Sequence, residues 1–86
     1  MPTYVIIDTA GDLDANIEGQ FSDQDRCKAA SRVWFVRSQR LTSSEVADDL
    51  GIAVGSRSGI VVTANHYAGA AHRGIVEKLA AWEAST

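Results

Sequence analysis

Two carboxylates stand where a buried strand is expected to end, and their chemistry is that of ligands for a divalent cation. Asp8 closes the apolar run 3–7, and Asp12 follows it after a short turn. Hard cations such as Mg²⁺ and Mn²⁺ prefer carboxylate oxygens, and an ion held there would polarise a phosphoryl oxygen or generate hydroxide. We therefore predict a Mg²⁺ or Mn²⁺ site at Asp8 and Asp12, with Asp14 nearby. Carboxylates after a strand also form turns and helix N-caps, so the same residues have a structural interpretation.

Three arginines surround an aromatic segment and have the chemistry of nucleic-acid contacts. Arg32 and Arg37 bracket Trp34 and Phe35, and Arg40 follows shortly after them. Aromatic side chains that interleave with cations form stacking platforms for single-stranded nucleic acid. We predict Arg32, Arg37 and Arg40 as nucleic-acid-binding residues, against the alternative that this segment is core and dimer interface.

Charge is distributed unevenly along the chain, although its net value is only −3. Residues 1–25 contain six carboxylates and no Lys or Arg, whereas residues 26–40 contain five cations and no acid. Such segregation marks either a polyanion-binding face or two neighbouring elements that neutralise one another. The acidic net charge favours the second interpretation, because nucleic-acid-binding proteins are usually basic.

The two histidines offer a weaker catalytic hypothesis. His66 and His72 do not have the i, i+4 spacing that places two metal ligands on one helix face. His66 beside Tyr67 would suit an acid–base pair, because imidazole titrates near neutrality. The alternative is a loop histidine that hydrogen-bonds to the backbone.

The element that positions Asp8 is an apolar segment over 3–9, which predicts a strand buried on both faces at the centre of a sheet. Beyond it, Leu13, Ile17 and Phe21 recur at intervals of four and predict a helical stripe. Asp12 is the expected N-cap. We predict a broken helical region over 12–30.

A second strand is predicted over 32–37, and both of its faces are apolar. Val33 and Phe35 point to one side, while Trp34 and Val36 point to the other. One side should contact the helices, and the other needs a cover that a short chain obtains most simply from a second copy. We predict a homodimer with Trp34 and Val36 in its interface.

Two helices and a third strand complete the expected fold. Thr42 and Glu45 have the spacing of a capping box, Leu41 and Val46 that of a hydrophobic staple, and Gly51 is the expected C′ residue. An apolar strand is predicted over 59–64 and a final helix over 70–84.

Length and composition limit the class of protein. A chain of 86 residues with 45% hydrophobic residues is expected to form a single globular domain over 1–86. It contains no apolar run long enough for a membrane span, and we expect no secretory signal and no membrane partner. A single cysteine favours a reducing compartment, so we predict a cytoplasmic location.

The order of these motifs resembles a known family. The strand Tyr4-Val5-Ile6-Ile7-Asp8 is followed by 31-SRVWFVRS-38, similar to Ser-Val-Trp-x-Val-x-(Ser/Thr), and by 41-LTSSEVADDL-50, similar to Leu-(Ser/Thr)-Ala-x-Glu-(Ile/Val)-x-Asp-x-Leu. This pattern resembles the small metal-binding subunit of the CRISPR spacer-acquisition complex, and more closely its stand-alone bacterial relatives. The resemblance covers most of residues 3–64.

The resemblance implies an α+β, ferredoxin-like βαββαβ sandwich that forms a homodimer, here with an extra C-terminal helix. It also implies that Asp8 contributes to a divalent-metal site shared across the dimer axis, which some members use to cleave nucleic acid. The chain departs from the family where Asp12 and Asp14 replace basic residues. The alternative fold is a small three-layer βαβαβα arrangement with parallel strands. For function, we predict a dimeric scaffold that binds divalent metal and nucleic acid, with weak or no phosphodiesterase activity. The alternative is a non-catalytic protein-interaction module of a bacterial or phage system.

Overall fold

Four strands and three α-helices form an α+β structure in a computed structural model that describes residues 1–52, 56–64 and 73–84. The strands are β1 (Thr3–Ile7), β2 (Arg26–Ala30), β3 (Val33–Arg37) and β4 (Ile60–Ala64). The helices are α1 (Asp14–Gln20), α2 (Ser43–Asp49) and α3 (Arg73–Ala84), and a 3₁₀ turn covers Asp23–Asp25.

The strands form one antiparallel sheet in the order β2-β3-β1-β4. β1 is central, as its apolar sequence predicts, and it pairs with β3 on one side and β4 on the other. The alternative fold with parallel strands is therefore wrong, because all three pairings are antiparallel.

The fourth strand comes from a segment that sequence reasoning assigned to a helix. Residues 26–30 form β2, which pairs with β3 and contains a bulge between Lys28 and Ala30. Lysine and alanine favour helices and disfavour strands. The predicted helical region over 12–30 is therefore wrong over residues 26–30, because pairing with an aromatic neighbouring strand overrides the local preference.

One face of the sheet, called here the first face, packs against α1 and α2. Its core contains Tyr4, Ile6, Trp34 and Val36 from the strands, together with the α1 stripe Leu13, Ile17 and Phe21 and the α2 residues Val46 and Leu50. The predicted stripe of three residues at intervals of four is confirmed. Full burial of an aliphatic side chain contributes about 1.5–3 kcal/mol, so this cluster is the main source of stability.

The predicted placement of Trp34 and Val36 in a dimer interface is corrected by this packing. Both side chains are buried inside the chain on the first face. Their neighbours Val33 and Phe35 take the opposite face. Both sets are equally apolar in sequence, so their hydrophobicity did not show which set the helices would cover.

Helix α2 begins and ends as its local sequence predicts. The Thr42 side chain accepts a hydrogen bond from the Glu45 amide, and the Ile52 amide bonds to the Ala47 carbonyl past Gly51, which has φ +74°. This is a Schellman ending, which favours glycine because a left-handed backbone strains other residues. The predicted staple is wrong, because Leu41 is 82% exposed.

The opposite face of the sheet, called here the second face, is covered by α3 on its β2 side. The strand register places Thr3, Val5 and Ile7 of β1 on this face, each beside its paired residues on β3 and β4. α3 contacts β2, and Trp82 is buried against Arg37 with 4.9 Å between the guanidinium carbon and the ring centroid. Within the described ranges, no helix is long and apolar enough to cross a membrane. The cytoplasmic location stays a prediction.

Candidate functional site

The Asp8 carboxylate organises the loop that joins β1 to α1. It is 1% exposed, and one of its oxygens accepts hydrogen bonds from the amides of Gly11 at 2.8 Å and Asp12 at 3.2 Å. The other oxygen accepts from the amide of Leu13, the N-cap residue of α1, at 3.0 Å. Only the Leu13 amide belongs to the start of α1, whose N-cap residue Leu13 makes no side-chain cap hydrogen bond. The predicted N-cap at Asp12 is therefore wrong, and Asp8 instead holds the turn that precedes α1.

Two arginines hold the outside of the same loop. The Arg32 guanidinium donates to the Thr9 carbonyl at 3.4 Å, and the Arg32 carbonyl accepts from the Asp8 amide at 2.8 Å. Arg57 donates to the Asp12 carbonyl at 3.0 Å and lies 3.6 Å from its carboxylate. Gly11 completes the turn with φ +80°, which other residues adopt at a cost. The loop is therefore closed by hydrogen bonds on both sides.

This arrangement gives the predicted metal ligands other partners. Asp8 faces backbone amides, and Asp12 faces Arg57, a cation that competes with any bound ion. In residues 1–52, 56–64 and 73–84, no group of three or more His, Cys, Asp or Glu side chains is arranged to hold a metal ion. Binding of Mg²⁺ or Mn²⁺ at Asp8 and Asp12 stays a prediction, and the donor set for it is poor.

The three arginines predicted to bind nucleic acid do not come together. Arg32 precedes β3, whereas Arg37 ends it and Arg40 follows, so about 17 Å of strand separates Arg32 from Arg37. A nucleic-acid backbone is bound by several cations that lie on the same surface of the protein and neutralise its phosphates. Their positions at opposite ends of the sheet do not form a single groove.

Arg40 is occupied by acidic residues of α2. It forms a two-pronged contact with Asp49, in which both donor–acceptor distances are 3.0 Å, and lies 3.8 Å from Glu45. The hydrogen bonds that Arg40 donates to Asp49 raise the pKa of Arg40 further above its usual value. The Arg40 carbonyl accepts from the Tyr4 hydroxyl at 2.6 Å, and burial, with a contribution from Glu45, raises the pKa of Tyr4.

Arg37 is held between an acid and an aromatic ring. It donates to Asp25 at 2.9 Å, and its guanidinium lies over Trp82. An open cleft of about 300 Å³ lies beside it, between Phe21 and Ser38. Because Asp25 and Trp82 already hold the guanidinium, Arg37 contributes to the docking of α3.

The remaining ion pairs explain the segregated charge of the sequence. Lys28 contacts Asp14 at 2.7 Å, and Arg26 lies 3.9 Å from Asp23. The pKa of Asp14 is lowered by hydrogen bonds from Lys28 and from the Trp34 indole. The basic segment therefore neutralises the acidic one that precedes it, as the second interpretation of the charge pattern predicts.

The surface left without a cover inside the described part of the chain is apolar. Ile7, Ile60 and Val62 are 36%, 53% and 46% exposed, and they surround the half-buried Val5 on the β1–β4 side of the second face. We call Val5, Ile7, Ile60 and Val62 the open strip. The sequence predicts burial of β1 on both faces and an uncovered surface on β3. The apolar residues of β1 and β4 are visible in the sequence, but only the position of α3 shows which part of the second face stays uncovered.

The histidine hypothesis lies outside the described residues, because positions 65–72 are not among them. Comparison of the chain with protein-family models, with curated proteins and with solved structures finds no match. The resemblance to the CRISPR acquisition subunit therefore stays a prediction, and functional conclusions depend on the geometry of the chain itself.

Proposed function

We propose that this chain is a non-catalytic, ferredoxin-like interaction module that works as a homodimer and uses the open strip as its contact surface. The observation that carries the proposal is the open strip, in which three aliphatic side chains stay more than one-third exposed on a regular sheet. Contiguous apolar surface of this kind marks a contact with another macromolecule.

Support for the ferredoxin-like assignment comes from the order of the elements. Up to β4, two βαβ-type halves, β1-α1-β2 and β3-α2-β4, follow one another and form the sheet order β2-β3-β1-β4. Both α1 and α2 pack on the first face, which leaves the second face for α3 and for a partner. The dimeric scaffold implied by the family resemblance is retained in this form.

Support for the absence of catalysis and of nucleic-acid binding comes from the charged groups. Asp8 is buried under three backbone amides, and Arg37, Arg40 and Arg57 each contact a carboxylate. Binding to polyanions would require these pairs to break. The metal- and nucleic-acid-binding scaffold is therefore the less well supported of the two predicted functions.

The test measures self-association and nucleic-acid binding separately. Analytical ultracentrifugation of the wild type should show a dimer, and the double variant Ile60→Gln/Val62→Gln should weaken it about tenfold or more, because each buried aliphatic side chain contributes about 1.5–3 kcal/mol. Leu41→Gln is the matched control, since Leu41 is more exposed and lies outside the sheet. That control should associate like the wild type.

Nucleic-acid binding is tested by gel shift at low salt, where phosphate contacts are strongest, and by a nuclease assay with Mg²⁺ and with Mn²⁺. We expect no shift and no cleavage. A monomer at every concentration, or cleavage that is lost in Asp8→Asn, would overturn the proposal.

A further inference from the structure

The two edges of the sheet are protected to very different degrees. The β2 edge has the cations Arg26 and Lys28, a bulge, and contact with α3. These are three of the devices that keep a strand edge from pairing with another chain. The opposite edge is β4, whose residues Ile60–Ala64 contain no charge and no proline and pair with β1 in an unbroken register. No described residue pairs with its outer side.

We infer that β4 pairs with β4 of a second copy, in antiparallel orientation and centred on Val62, to form a continuous eight-stranded sheet. This inference rests on the homodimer of the proposed function and assigns its geometry. An outer row of unpaired N–H and C=O groups is a template for another strand, and an uncharged strand of identical sequence can approach it without repulsion.

The register follows from symmetry and from the faces of the strand. A twofold axis normal to the sheet keeps the second face of both copies on the same side, so only residues of equal parity can lie opposite each other. The axis must therefore lie midway between one residue and the same residue of the second copy. Centring on Val62 uses all five residues of β4, whereas centring on Val61 or Thr63 leaves part of the strand unpaired.

The side chains suit this register on both faces. On the second face, Val62 would lie opposite the partner's Val62, and Ile60 opposite the partner's Ala64, so that every contact is apolar. On the first face, Thr63 bonds to Ser43 of α2 at 2.7 Å and would lie opposite the partner's Val61. No pairing places a charge on either side of the axis.

Pairing at this edge would also join the open strips of the two copies. β4 and the adjacent β1 form the open half of each second face, and α3 covers only the far half near β2. The two open halves would become one apolar surface at the twofold axis, with an α3 helix on each side.

The first test is disulfide trapping at the proposed axis. In antiparallel sheets, directly opposed Cα atoms lie about 4.5–5.5 Å apart, within the range of about 4.4–6.8 Å that a disulfide requires. In a Cys27→Ala background, which removes the natural cysteine, Val62→Cys should form a covalent dimer under mild oxidation. Leu41→Cys in the same background should stay monomeric on a non-reducing gel, because Leu41 precedes α2 and belongs to no strand of the sheet.

The second test uses charge and does not depend on oxidation. Val62→Lys and Val62→Glu, each alone, should weaken the dimer about tenfold or more, because like charges would lie directly opposite each other. An equimolar mixture of the two variants should recover the dimer, since a Lys would then face a Glu. Circular dichroism of each variant establishes that it is folded.

The outcomes separate this inference from the proposed function. If the wild type is a dimer but Val62→Cys does not cross-link and the mixture does not recover, the edge inference is overturned and a dimer through another surface remains. If Val62→Cys cross-links and the dimer cleaves or binds nucleic acid, the proposed function fails while the edge inference stands. A wild type that is monomeric at every concentration overturns both.

Discussion

At the scale of single residues, Asp8 shows how a carboxylate in a suggestive position can have a structural role. Its two oxygens bind amides from the next five residues of the chain, so its charge is balanced by donors that come from the same loop. Hydrogen bonds to a charged acceptor are about twice as strong as neutral ones. The stability of the β1–α1 connection therefore depends on this side chain.

Asp8→Asn is expected to lower the free energy of unfolding by about 1–3 kcal/mol, because the new amide group would place a donor against the Leu13 N–H. Urea unfolding followed by tryptophan fluorescence measures this change. Asp48→Asn, a substitution of an exposed acid near the end of α2, should stay within about 0.5 kcal/mol of the wild type. Equal stability of the Asp8 variant and the wild type would contradict the role assigned here.

Asp14 gives a prediction on pH, because hydrogen bonds from Lys28 and the Trp34 indole lower its pKa in the folded chain from the usual 3.8. A lowered folded pKa means that the unfolded chain binds the proton more tightly, so stability falls as the pH drops below about 4. Near pH 6 the free energy of unfolding of the wild type should exceed that of Asp14→Asn by at most about 1 kcal/mol, since the ion pair is exposed. Urea titrations at several pH values should show this difference shrinking below pH 4, and a difference independent of pH would contradict the assignment.

The position of Asp8 in the fold was predictable from the sequence, whereas its hydrogen-bond partners were not, and its role as a metal ligand stays a prediction. The apolar run before Asp8 indicated that a carboxylate would stand at the end of a central strand, and it does. The partners of that carboxylate are backbone amides, which have no signature in residue type. The spacing of Asp8 to Gly11 was the one available signal, because Asp side chains bond amides a few residues ahead in tight turns.

At the scale of elements, α3 is the helix that covers the β2 side of the second face, and Trp82 is its most buried contact. Trp82 is buried against Arg37, and Lys78 of the same helix donates to the Asp23 carbonyl at 2.5 Å. Cys27 is buried on the same face of β2. Burial raises the pKa of its thiol, and the nearby Lys78 opposes that shift. Reactivity of Cys27 therefore reports whether α3 is docked.

Trp82→Ala should speed the reaction of Cys27 with a disulfide reagent by about tenfold or more, because the loss of a buried aromatic weakens docking by well over 1.4 kcal/mol. The rate at which the reagent releases its coloured thiolate, followed at fixed pH, measures the reactivity of Cys27. Val76→Ala, a change on the exposed side of the same helix, should react like the wild type. If both variants react like the wild type, Cys27 is shielded by something other than α3.

The elements differ in how far the sequence predicts them. β1, β3, β4 and α2 have local signals that agree with their environment, namely apolar runs in the strands and a capping box with a C′ glycine in α2. β2 has none, because Arg26, Lys28 and two alanines favour helix over strand. It forms as a strand because β3 presents an edge beside it, and this long-range effect is invisible to any local window.

At the scale of the whole molecule, the proposed dimer makes the melting temperature depend on concentration. Unfolding of a dimer releases two chains, so mass action raises its stability as the protein concentration increases. A tenfold increase should raise the melting temperature of the wild type by about 3–5 °C while the dimer is populated. Differential scanning calorimetry at several concentrations measures this shift, and a constant melting temperature would argue for a chain that functions alone.

The bulge at Lys28–Ala30 has a consequence for the size of any assembly. If both sheet edges accepted a neighbour, each added copy would expose a fresh edge and the rows would lengthen into fibres. Here the β2 edge has a bulge, carries cations and is partly covered by α3. A second copy therefore pairs only at the β4 edge, and no further copy is added. Together with these cations and with α3, the bulge would thus set an upper limit of two copies and keep the chain from aggregating.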